Sequence, residues 1–75
     1  MTPPGEFLAF AASILGIPRE SARMDTAYGS IPQWDSVMHI RLVLELEERF
    51  GFQVPVGEIA DARTLGALFA YACKN

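Results

Sequence analysis

Asp35, Ser36 and His39 bring the three side-chain types of a hydrolytic triad within five residues, where a loop gives way to an amphipathic helical pattern. Nucleophilic catalysis needs more than the types. It requires an elbow of the Gly-x-Ser-x-Gly kind, an oxyanion hole and volume for a substrate, and a chain of 75 residues offers none of these signals. A simpler chemistry fits the position. A hydroxyl in the first turn of a helix stays solvent-exposed, and the unpaired backbone N–H groups there favour an anion attached to it, such as a phosphodiester. Asp35 then reads as the N-cap that fixes the turn displaying Ser36, and His39 as a residue at the boundary of core and surface, hydrogen-bonded to the loop. Read alone, without its flanking pattern, Ser36 is more simply a plain helix-start residue.

Four helical segments must position this serine. Helix I is predicted over residues 4 to about 15, with Thr2 as a capping hydroxyl, a proline in the first turn, and Phe7, Phe10, Ala11 and Ile14 at i, i+3, i+4, i+7. Gly16 and Pro18 end it. Residues 18–33 lose the period and read as a long loop pinned by Met24, Tyr28, Ile31 and Trp34, with room for a helical turn around residues 21–25. Helix II is predicted over 36–50, with Gly51 as its stop. Its apolar stripe is read as Ile40, Leu42, Val43, Leu46 and Phe50, and an outward stripe as Val37, Arg41, Leu44 and Glu48. Arg41 with Glu45 and Glu45 with Arg49 are spaced for i,i+4 pairs worth about 0.2–0.5 kcal/mol each. The cluster Glu45, Glu47 and Glu48 reads as a solvated face. An extended connector, one turn near residues 57–61 burying Ile59, and a helix begun by Thr64 with Leu65, Leu68, Phe69 and Ala72 inward complete the chain. The expected fold is all-α, a single domain over 1–75: a small four-helix bundle of three longer helices and one short one.

Composition narrows the function further. Hydrophobic residues make up 51% and aromatic ones 11%, enough for a packed core. Six Lys and Arg against nine Asp and Glu give a formal charge of −3, the wrong sign for a nucleic-acid partner. One cysteine, Cys73, permits no internal disulfide and no thiolate metal cluster, and suits a cytoplasmic setting. The apolar run at residues 7–17 is preceded by Glu6 and is too short for a membrane span, so neither a span nor a signal peptide is read there. The chain is expected to be a monomer without a metal.

Trp34-Asp35-Ser36-Val37, the run Leu42-Val43-Leu44-Glu45-Leu46-Glu47-Glu48-Arg49-Phe50-Gly51 and the closing Thr64-Leu65-Gly66-Ala67-Leu68 together resemble the acyl carrier protein family over almost the whole chain. The resemblance implies that Ser36 carries 4′-phosphopantetheine, transferred from coenzyme A by a phosphopantetheinyl transferase, with Asp35 flanking it. The arm would then carry an acyl or aminoacyl group as a thioester, and the chain itself would catalyse nothing. Implied partners are a loading ligase or acyltransferase and a downstream synthase, transferase or thioesterase. They would meet a surface at Val37, Met38, Arg41, Leu44 and Glu48.

Two departures bear on the pathway. Fatty-acid-synthesis carriers usually present acids along helix II, whereas Met38 and Arg41 stand two and five residues after the serine, and Arg49 follows the Glu47-Glu48 pair. A partner docking through a basic patch would meet a weaker negative field. The pattern looks more like a stand-alone carrier of a polyketide, nonribosomal-peptide or similar specialised pathway. A fatty-acid carrier and an unmodified helical interaction module stay open as alternatives.

Overall fold

A computed structural model of the chain describes residues 2–73. Among the described residues there are four helices, α1 (Pro4–Leu15), α2 (Ser36–Phe50), the short α3 (Val56–Ile59) and α4 (Leu65–Cys73), with a 3₁₀ turn at Arg19–Ser21 after α1. No strand occurs among the described residues, only an isolated bridge between Ala27 and Thr64. The fold is the all-α bundle expected from the periodicity, and no described helix is long and apolar enough to cross a membrane.

The helix ends follow local chemistry. Gly16 and Gly51 stop α1 and α2 in the left-handed conformation, at φ of +72° and +70°, where a Cβ would be strained. At the start of α1 the structure departs from expectation. Pro3 is the N-cap residue, no side chain caps the helix, and Thr2 is buried instead. Pro3 and Pro4 carry no N–H, so fewer donors call for a cap. Thr64 does cap α4, accepting from the Ala67 amide at 3.0 Å.

Phe7, Leu15, Leu42, Val43, Leu46, Leu65 and Leu68 are fully enclosed between α1, α2 and α4. Phe7 lies at the centre of an aromatic group, its ring 5.4 Å from Phe50, 6.5 Å from Phe52 and 5.2 Å from Phe69. The Arg49 guanidinium lies over Phe50 and Phe10 at 5.4 and 5.8 Å, so the expected Glu45–Arg49 pair does not form; the cation is used on aromatic faces instead.

The long loop is strapped down mainly by its backbone. Tyr28 N–H donates to the Arg63 carbonyl, Leu65 N–H to Thr26 and Gly66 N–H to Met24, at 2.6, 3.1 and 2.8 Å. These bonds lay the loop along the α3–α4 junction. Ala22 and Trp34 are its buried side chains, with Tyr28 and Ile31 packed partly against the core; Met24 is held by its carbonyl rather than inserted as an anchor. The connector after α2 is tied down in turn. Phe52 and Val54 are buried, and the Glu47 carboxylate accepts the Val54 amide at 2.7 Å, which takes Glu47 out of the solvated face expected for it.

Candidate functional site

Ser36 is the first residue of α2 and is exposed. Asp35, extended at φ −99° and ψ −174°, caps the helix by accepting the Met38 amide at 2.8 Å. Its carbonyl accepts from His39 N–H at 2.8 Å, closing the first turn. This cap uses the third helical amide and leaves those of Ser36 and Val37 beside the serine hydroxyl.

His39 is not at the boundary but buried. The Trp34 indole N–H donates to its Nδ1 at 3.0 Å, so Nδ1 is an acceptor and Nε2 carries the proton, donated to the Ile59 carbonyl at 2.7 Å. One ring thus clasps the loop before α2 to the end of α3. Tyr28 packs edge-on against it, 5.4 Å from the His39 ring and 6.3 Å from Trp34. With both His39 nitrogens committed and Asp35 engaged on Met38, these residues do not assemble a triad around Ser36.

Two surfaces meet at Ser36. One is the outward face of α2, where Val37 and Leu44 are 78% and 55% exposed and Arg41, Glu45 and Glu48 line the strip. Arg41 Nε stands 3.9 Å from Glu45, the i,i+4 pair expected from spacing. Ile40, read from sequence as core, is 50% exposed and belongs to this strip. At about 100° per residue it lies about 40° from Leu44 and about 110° from the centre of the arc buried by His39, Leu42, Val43 and Leu46. It is the residue of the broad apolar arc that stands nearest Leu44. Met38 is corrected in the opposite sense: it packs half-buried against the core, on the flank of the helix away from the strip.

The other surface is a cleft of about 300 Å³ between α2 and α3, lined by Ser36, His39, Ile40, Val56, Ile59, Ala60, Tyr28 and Arg63. Sequence reasoning did not find it. The only signal was the long loop, whose length hinted that it did more than connect. No cluster of three or more potential metal ligands exists among the described residues.

A family model, the phosphopantetheine attachment site, matches residues 33–72, more than half of the chain and the whole stretch from the loop before Ser36 to α4. The chain belongs to this family. Members of the phosphopantetheine attachment family are carriers that bear covalent 4′-phosphopantetheine, serve phosphopantetheinyl transferases and partner enzymes, and are in general not themselves catalytic. No curated protein matches the chain.

Proposed function

We propose that Ser36 is the residue to which 4′-phosphopantetheine is attached, and that the chain carries acyl or aminoacyl groups on it between enzymes of a specialised biosynthetic pathway. The observation that carries the assignment is the exposed Ser36 at the first position of a capped α2, inside the matched segment. The phosphodiester would lie at the positive end of the helix, within reach of the Ser36 and Val37 amides. The arm supplies a thiol that the protein needs. Cys73, exposed at the end of α4, lies outside the first turn of α2 and is no substitute.

The strip of Val37, Ile40, Arg41, Leu44 and Glu48 serves as the partner surface in this reading, and Met38, packed against the core, is left out of it. Its single cation beside Glu45 and Glu48 supports a partner other than the basic-patch enzymes of fatty-acid synthesis. The protein acts as one domain and as substrate of its modifying enzymes. Incubation with coenzyme A and a broad-specificity phosphopantetheinyl transferase, followed by intact mass spectrometry, tests the attachment. The wild type should gain one phosphopantetheine and Ser36→Ala none. No gain in the wild type, or an equal gain in the variant, removes the assignment.

A further inference from the structure

The cleft between α2 and α3 holds one cation and no acid. Ile40, Val56, Ile59 and the Tyr28 ring give it apolar walls, and Ser36 and Arg63 belong to the same lining. Arg63 is exposed, and its backbone and side chain are tethered at three points. Its carbonyl takes the Tyr28 amide at 2.6 Å, its Nε donates to the Ala60 carbonyl at 3.0 Å, and its guanidinium carbon lies 6.0 Å from the centre of the Tyr28 ring. The terminal nitrogens of the fork remain. The two ion pairs among the described residues are Arg23 with Asp25 and Arg41 with Glu45, and neither involves Arg63.

A planar, weakly hydrated cation held over an aromatic ring, beside apolar walls and without a carboxylate, is arranged to receive an anion from outside the fold. Because Ser36 opens onto the same cleft, the nearest source of one is whatever the serine carries. We propose that Arg63 is an anion-binding residue that holds a negatively charged oxygen of the prosthetic arm, and so lays the arm along the cleft. This rests on Ser36 being the attachment site. Two groups share the chemistry: the phosphodiester at the base of the arm and a carboxylate at the far end of its cargo. A volume of about 300 Å³ is at the lower end of small-molecule sites, about 300–1,000 Å³, and so admits part of the arm or a short acyl group rather than a long chain.

The test follows the Arg63 side-chain Nε–H resonance by NMR in the apo protein, the holo protein, and holo protein loaded with butyryl or succinyl thioester, each verified by mass spectrometry. Displacement in all three modified forms supports the proposal with the phosphodiester as the anion. Displacement in the succinyl form alone supports it with the cargo carboxylate as the anion. An Nε–H signal that stays at its apo position in every verified form overturns the proposal while leaving the Ser36 assignment intact. Failure of attachment in the mass spectra overturns both. In Arg63→Gln the shifts that the arm induces at the Val56 and Ile59 amides should shrink at least twofold; unchanged shifts would show that the arm enters the cleft without Arg63.

Discussion

The two aromatic groups of the bundle flank opposite ends of α2 and are held by different forces. Around Phe50, at the C-terminal end, Phe7, Phe10, Phe52 and Phe69 meet by ring contacts, with the Arg49 guanidinium laid over Phe10 and Phe50 and no hydrogen bond between the rings. Around His39, at the N-terminal end, Tyr28 and Trp34 pack at similar ring separations, but hydrogen bonds thread the group from Trp34 through His39 to the carbonyl of Ile59. Packing of phenyl rings is worth energy but tolerates small shifts, whereas a chain of directed bonds fixes positions. The bundle places its undirected contacts away from Ser36 and its directed ones beneath it. Stability and site geometry are therefore separable here.

Substitutions can break or sharpen that separation. The largest effect is expected from Phe7→Ala, which empties the centre of the phenyl group and should cost about 3–5 kcal/mol in urea unfolding. In so small a domain this leaves little folded protein. Trp34→Phe keeps a ring but removes the donor to His39 Nδ1, and should cost about 1–3 kcal/mol, with shifts concentrated at Ile59 and Val56 in the amide spectrum. If Trp34→Phe destabilises as much as Phe7→Ala, or its shifts spread evenly through α1 and α4, the division between the two groups is mistaken.

The smallest expected effect concerns the back of α3. Tyr71 donates its hydroxyl to the Glu58 carboxylate, joining α4 to α3. That bond, with some desolvation and the charges of Glu58 and Asp61, pushes the phenol above its ordinary value of 10.0. A raised value in the folded state means a contribution that is complete below pH 10 and declines as pH rises through the folded value. Unfolding midpoints followed into alkali should fall more steeply for the wild type than for Tyr71→Phe. Parallel curves would show that the tie contributes nothing.

The helices were legible because their signals are local. Asp35, Gly51, Thr64 and the apolar spacing of α1 act on residues within a turn or two, and the serine motif lies on one such boundary. The cleft was not legible, because it is made by separate parts of the chain meeting in space. Tyr28 and Arg63 are 35 positions apart in sequence, yet the Tyr28 amide is bonded to the Arg63 carbonyl. His39 could not be placed from its own helix either, since both of its partners lie outside α2. Glu47 shows the same failing: nothing in its spacing announces that Val54 will come within hydrogen-bond reach. Ile40 is different. Its angle puts it at the edge of a broad apolar arc, between core and strip, and spacing alone does not say which side of that edge the neighbouring helices cover.

Because α2 is capped by Asp35 and closed by Gly51, it has the properties of a ruler whose zero mark is Ser36. At about 1.5 Å per residue, Leu44 lies about 12 Å and Glu48 about 18 Å along the axis from the serine. With the arm on Ser36, as proposed, an enzyme gripping those two side chains would find its root at a constant distance whatever the arm holds. Enzymes with unrelated active sites can then share one carrier, provided each sets its grip and its catalytic pocket the same length apart.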